Sequence, residues 1–457
     1  MRGSKFLVYS VLVVMMLGSL VACGPTPTAA PTAPPTEAPT TAPTEAPATP
    51  VPAEKIELVM WHSQNQLDAR ESFQALLDGF MAENPDIEIT QTIFNWVDVK
   101  PKVMAAIAAG EPPTDMIQVL PDMMVPMLPT GAIQPVDDII QEVDEKWDYF
   151  DSATGPYYKD GHYWAVPAFG IANMLYYRIS YFEEKGLEPP KTWDDLVAAA
   201  EALTDEEAGV YGIGLPLAKS MYTDQVLWDF LVTNSGDIFD EEGNITFNTP
   251  EVIEALALMK ELAPYSPPDA TNWVWEDANN ALAAGSIAMI IQFGHMSNMF
   301  AETNPDNPFD LGCVPIPIKT EPGTLGMANA FAIFTTDPVK REAVKRFWIY
   351  AMDPENNGKW LGNMSPGLMF PVTDASFPVY LDQAGVDKFR RNIQVELEEG
   401  VPYIKQYGFT HELVPDVVGP IAAQNIMGEA VQRMILEDLT PEEAAAWGQE
   451  AMEALLE

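Results

Sequence analysis

Tryptophan recurs in polar company along this chain, in Trp61-His62-Ser63, Asn95-Trp96, His162-Tyr163-Trp164, Trp228-Asp229, Asn272-Trp273-Val274-Trp275-Glu276 and Lys359-Trp360. An indole face packs against the C–H-rich face of a sugar ring, while neighbouring carboxylates and amides exchange hydrogen bonds with its hydroxyls. Any one of these tryptophans alone reads as core or as a loop plug; their number points to carbohydrate recognition. The motifs of bond-breaking chemistry are absent: the sequence has no G-x-x-x-x-G-K-[ST] phosphate loop, no G-x-S-x-G nucleophile elbow and no H-E-x-x-H zinc pair. His62, His162, His295 and His411 are far apart and none stands at a ligand spacing. Gly209, Gly212 and Gly214 are followed by Pro216 rather than by a helix start, which argues against a dinucleotide turn, and Asp237 to Gly243 is too irregular for a calcium loop. No metal, cofactor or catalytic residue is therefore expected. A carboxylate pair for glycoside hydrolysis stays open, because among 67 acidic residues some pair falls at the right separation by chance.

The charge balance narrows the ligand. The 457 residues carry 24 Lys+Arg against 67 Asp+Glu, a formal net charge of -43, so the clustered cations that a nucleic acid requires are missing. Anionic small molecules are disfavoured unless a local basic pocket exists. Two cysteines leave no disulfide framework, and the position of one of them is informative. Arg2 and Lys5 precede an apolar run from Phe6 to Leu20, closed by Leu20-Val21-Ala22-Cys23. This resembles a bacterial lipoprotein signal over residues 1–22, in which Cys23 becomes the lipid-bearing first residue and Cys313 remains the only thiol. The alternative is a retained signal anchor, but the run is short of the roughly 20 residues that span a bilayer. Residues 23–53 are mostly proline, threonine and alanine and form an extended tether without apolar surface to bury. The expected location is the extracellular face of the membrane, by lipid anchor.

The elements that must position the site read as an α/β fold. Ile56 to Trp61 is a strand, and Phe73, Leu76, Leu77, Phe80 and Met81 then fall on one helical face. Asn84-Pro85 ends that helix and Ile87 to Ile93 is the next strand, which gives a βαβ opening. Thr249-Pro250, Asp337-Pro338 and Thr440-Pro441 are helix starts with proline at the first helical position, the last with Glu443 as a capping box. Met116 to Val119, Ser286 to Phe293 and Ala330 to Phe334 read as buried strands. In an open α/β sheet ligands bind beyond the carboxyl ends of strands, where Trp61 and the residues after Val119 stand.

Four stretches carry a resemblance that covers residues 54 to 457. Tyr158-Lys-Asp-Gly-His-Tyr-Trp-Ala-Val-Pro167, Leu175-Tyr-Tyr177 with Phe182 to Leu187 and Pro190-Lys-Thr-Trp-Asp-Asp-Leu196, Ser235-Gly-Asp-Ile-Phe239 with Phe247-Asn-Thr-Pro250, and Leu282 to Met289 are similar to the signature blocks of extracellular solute-binding proteins of the maltose-binding type. These are the receptors of ATP-driven sugar importers. Arg178 stands where that family usually has Asn, Gly110 to Asp115 carries an extra residue, and Met296 falls where the family often has a sugar-stacking aromatic. The resemblance implies a two-lobe periplasmic-binding-protein fold with an interlobe ligand cleft and hinge strands. It places an amino lobe at 54–165 plus 315–362 and a carboxy lobe at 166–314 plus 363–457, with crossings near Val166-Pro167, Pro315–Pro317 and Met364–Pro366. Carried over by position, the ligand contacts would be Trp61, Ser63, Asn65, Asp122, Trp228, Phe293, Gly294, Met296 and Asn329, with Asp122 the hydroxyl acceptor and Trp61 and Trp228 the stacking platforms. Tyr176 and Tyr177 read as strand core. The implied activity is capture, by a monomer, of a sugar or oligosaccharide and its delivery to ABC permease subunits, without catalysis. The competing classes are a tethered surface glycoside hydrolase, a peptide-binding receptor and a stalked adhesin.

Replacing Cys23 with alanine is expected to release the protein from membranes on fractionation. Retention of the variant after a high-salt wash would sink the lipid-anchor reading.

Overall fold

Leu58, Met60 and His62 point inward from β1 (Ile56–His62), and Ile87 and Ile89 from β2 (Ile87–Ile93), the two strands running parallel with Ile56 opposite Ile87. The helix Leu67–Glu83 between them buries Ala69, Phe73, Leu76, Leu77 and Phe80, and Asn84 stops it by donating its amide to the Phe80 carbonyl at 2.9 Å. β3 (Met116–Val119), buried along its whole length, adds parallel to β1. The computed structural model describes residues 55–456 except 65–66, 111–113, 365 and 412–414, so the expected signal peptide, Cys23 and the expected tether lie outside the described residues.

The remaining strands are a hairpin, β4 (Tyr158–Lys159) with β5 (His162–Tyr163), then β6 (Val166–Tyr177), β7 (Tyr211–Ile213), β8 (Ile287–Phe293), β9 (Gly312–Val314), β10 (Thr324–Ile333) and β11 (Ile404–Lys405). One mixed sheet runs in the order β2-β1-β3-β10-β6-β8-β7, with β9 added to β6 and β11 to β10. Capping is as expected: Thr249, Asp337 and Thr440 accept from backbone N–H groups of the turns they open, and Thr440 and Glu443 form the reciprocal box. The strand read as Ala330 to Phe334 begins earlier, at Thr324. Tyr176 and Tyr177 are core, 1% and 5% exposed.

Two hydrophobic cores share this sheet. β6 gives Val166, Ala168, Phe169 and Ala172 to the first and Met174 to Tyr177 to the second; β10 gives Leu325 to the second and Ala328 to Ile333 to the first. The cores therefore meet at Asn173 on β6 and at Met327–Ala328 on β10, later in the chain than Val166-Pro167 and Pro315–Pro317. The third change of core falls between Val401 and Val417, so the helices after Met364 still pack on the first core. The physical reason is that Val166–Tyr177 is one continuous strand of small and apolar residues broken only by Asn173, and no turn or proline stands where the partner changes.

A buried carboxylate fixes the meeting point. Asp229, on the helix Met221–Thr233 of the second core, is fully buried, accepts from Leu325 N at 2.6 Å and from the Asn173 amide at 2.8 Å, and lies 3.2 Å from the Thr324 hydroxyl. The same hydroxyl is 2.7 Å from the Asn173 carbonyl. Burial raises the Asp229 pKa from its ordinary 3.8 to about 7, against the pull of those three donors. The native state thus binds a proton that the unfolded chain has released, so the stability contribution of this group falls as pH rises through the interval from about 4 to 7 and is flat above it. Asp229→Asn, which keeps the shape and removes the charge, is expected to gain on the parent in thermal midpoint between pH 5 and pH 8. A constant difference across that range would show that the clamp does not titrate there.

Candidate functional site

Because β1 and β3 are parallel, their carboxyl ends open at the same edge, and the side chains there converge on one amide. Gln118, the only polar residue of β3, is 1% exposed; its Oε1 accepts from Ser63 N at 3.0 Å, Ser63 Oγ at 3.2 Å and Gln64 Nε2 at 3.3 Å. Its Nε2 donates to Asn329 Oδ1 at 2.9 Å. Asn329 stands at a break in register between β10 and β6, a bulge of the kind that re-aims a side chain. His62 completes the arrangement: Nδ1 accepts from Gln64 N at 3.1 Å, which leaves Nε2 as the donor to Gln91 Oε1 at 2.7 Å. Burial lowers its pKa to about 4, so the ring is neutral at physiological pH and acts as a fixed hydrogen-bonding spacer.

Trp61 and Asp122 stand at the carboxyl ends of the same two strands, β1 and β3. Trp61 is partly exposed, with its ring 4.7 Å from that of Phe94 at 58°. Asp122 sits in the first turn of Pro121–Met124, directly after β3; it is partly exposed, and after burial its charge is one of the causes that hold the Tyr157 and Tyr407 phenols above their usual range. Phe293, at the end of β8 and partly exposed, pairs with Asn173 at the meeting point of the cores. Gly294 follows it with its backbone pressed on Gly367: a Cβ there would lie 1.6 Å from the Gly367 carbonyl oxygen, so only glycine fits. Asn65 lies outside the described residues.

Gly294 and Asn329 are buried, and two further expected contacts, both in the second core, have no exposed face. Trp228 is fully buried, donates Nε1 to the Lys405 carbonyl at 2.8 Å and meets Tyr407 edge to face at 5.5 Å. An indole with no exposed face offers no stacking platform; the polar company that suggested one, Asp229, is itself the buried clamp. Met296 is likewise fully buried, in the second core, and does not take the place of a stacking aromatic. The other tryptophans divide in the same way, Trp273 and Trp360 entering the cores while Trp164 and Trp275 stay partly exposed.

Sequence reasoning missed Gln118 and Tyr407. A glutamine in an otherwise apolar strand, one residue before its carboxyl end, was the available signal for the first; nothing local distinguished the second. A surface depression lies elsewhere, beside the helix Pro338–Met352, and its cations are already paired, Lys345 with Glu142 at 3.1 Å and Arg346 with Asp86 at 2.9 Å. Among the described residues no cluster of three or more His, Cys, Asp or Glu could hold a metal ion, and no helix is long and apolar enough to cross a membrane.

The difference in burial makes opposite demands on two tryptophans. Trp228→Ala is expected to lower apo-state stability by about 3–5 kcal/mol in chemical denaturation. Trp61→Ala is expected to leave stability within about 1 kcal/mol and to weaken solute binding tenfold or more by calorimetric titration. The reverse ordering would exchange their roles.

Comparison with known proteins places this arrangement. The arabinooligosaccharide-binding protein of Halalkalibacterium halodurans is 26% identical over 427 residues, 87% of this chain and 89% of the relative. The sn-glycerol-3-phosphate-binding periplasmic protein UgpB of Shigella dysenteriae is 26% identical over 353 residues, 72% of this chain and 77% of the relative. In fold, the chain is similar to the ABC substrate-binding protein Lmo0181 of Listeria monocytogenes, solved with cycloalternan, with a TM-score of 0.71 at 20% identity, covering 88% of this chain and 99% of that one. The two-lobe periplasmic-binding-protein fold expected from the signature blocks is thus the fold of this chain. Residues 65–358, well over half of the sequence, match the family model described as bacterial extracellular solute-binding protein, and the chain belongs to that family.

Proposed function

We propose that the protein is a membrane-tethered receptor that captures a neutral sugar or oligosaccharide between its two lobes and delivers it, as a monomer and without chemical change, to the permease of an ABC importer. The observation that carries this reading is the Gln118-centred set of amides and hydroxyls, held rigid beside a partly exposed tryptophan and carboxylate at the strand ends. Prearranged donors and acceptors next to an aromatic face suit a polyhydroxylated ring, and the arabinooligosaccharide relative supports that class. The phosphorylated ligand in the name of UgpB fits less well, given a net charge of -43 and Asp122 at the rim.

In this reading the lobes turn about Asn173 and Met327–Ala328, and a solute touching both stabilises the closed form. The lipid on Cys23 and the tether, with a reach of up to roughly 85 Å at about 3.1 Å per residue, keep the receptor near its permease.

A thermal-shift panel of mono- and oligosaccharides that includes maltotriose, mannotriose and arabinotriose tests the reading. A true ligand at ~100 times its dissociation constant adds about 2.7 kcal/mol, and small-angle scattering at that concentration should give a smaller radius of gyration. A panel without a shift, or the hydrolysis of a chromogenic glycoside, would overturn it.

A further inference from the structure

Ile404 to Phe409, part of the segment over which the chain changes core for the third time, hold a hydroxyl with no hydrogen-bond partner among the described residues. β11 fastens this segment to the start of β10, Ile404 opposite Thr324 and Lys405 opposite Leu325, and Trp228 Nε1 grips the Lys405 carbonyl. Gly408, at φ +71, turns the chain two residues after Gln406, and Phe409 packs against both cores. Between these anchors Tyr407 leans edge-on against Trp228. Its ring is partly exposed, yet its hydroxyl oxygen is sealed from solvent and has no hydrogen-bond partner among the described residues.

The groups around that hydroxyl come from both lobes. Asp122 belongs to the first, and Asp224 and Asp237 to the second. Asp224 accepts from the Gly428 N–H. Asp237 accepts from Ile238 N at 2.6 Å, Phe239 N at 3.2 Å and the Thr410 hydroxyl, with His411 Nε2 at 3.6 Å. Burial and these carboxyl groups hold the phenol well above its usual range, so it is a donor at any physiological pH. A buried donor without an acceptor costs about 1–3 kcal/mol, and such groups are rare enough to require an explanation. The lobes also touch nearby, through the pair of Lys159 on the β4–β5 hairpin and Asp416 at 3.2 Å.

We infer that Tyr407 is a specificity-determining residue of the solute site, donating its phenol proton to a neutral oxygen of the captured sugar. The inference rests on the carbohydrate reading and sharpens it. An ether or hydroxyl oxygen can accept from Tyr407 while a neighbouring hydroxyl of the same ring donates to Asp122; a phosphate or carboxylate oxygen would accept equally well but would enter the field of Asp122. The solute class is therefore an uncharged glycoside, selected against its phosphorylated or uronic counterparts.

Tyr407→Phe removes the hydroxyl and keeps the ring against Trp228. With the tightest binder of the sugar panel, calorimetric titration of the variant should show affinity reduced by about five- to tenfold, and the apo thermal midpoint should be unchanged or higher, because the deleted group had no partner. The parent should give no heat with sn-glycerol 3-phosphate at concentrations that saturate the sugar. Equal affinity of variant and parent for a sugar that the parent binds would overturn the inference and leave the carbohydrate reading standing. A lowered apo midpoint would also overturn it, by showing that the hydroxyl serves the fold. A parent that binds sn-glycerol 3-phosphate as tightly would remove the selectivity, and a parent that binds no sugar of the panel would remove both readings together.

Discussion

The carboxylate of Asp229 sits beyond the reach of water, and the groups that satisfy it belong to the two strands that run through both cores: Asn173 on β6, and Thr324 and Leu325 on β10. Burying an acid is unfavourable unless donors surround it, and here the donors are two strands that must lie in one register to reach it. The side chain works as a gauge for the crossing, accepting only the pairing in which Ala172 lies opposite Gly326. Because Asp229 is on a helix that is buried on nearly every side, that helix is drawn to the crossing and brings Trp228 with it, which in turn holds Lys405 and Tyr407. The site on one side and the change of core on the other therefore share a single point of reference.

Much of the fold was legible in the sequence because it is written locally. The helical spacing from Phe73 to Phe80, the Asn84-Pro85 stop and the proline-led helix starts each depend on a few adjacent residues, and each forms as its chemistry dictates. Where the cores divide is not local. β6 changes partner in the middle of one strand, and residues far away in the chain decide it, so crossings placed at prolines differ from the places where the two cores divide. The site shows the same division. Ser63 and Asn329 came from the resemblance, position by position, but the residue that joins them, Gln118, is visible as a hub only once β1, β3 and β10 are side by side. Trp228 was misplaced because an adjacent aspartate reads as a solvated surface, and this aspartate is one of the most deeply buried groups in the chain.

At the strand ends, polar groups are held by other polar groups before any solute arrives. His62, uncharged, orients Gln64; Gln64 and Ser63 orient Gln118; Gln118 orients Asn329. Side chains fixed in this way lose little freedom when a ligand binds.

The interleaving of the two cores along the chain bears on how the molecule can be made. The first core draws on residues on both sides of the second, and the second is completed only by the last helices, among them Pro441–Glu453 with Met452 at its heart. The second half cannot finish before those last helices have emerged, so in a nascent chain that half stays incomplete long after the first has its residues. Once the end is free, Ala172 and Gly326 bring the borders of a long insertion together, and the remaining pairings of β10 with β3 close over short effective loops. The same arrangement that divides the molecule into two cores lets the first close before the second.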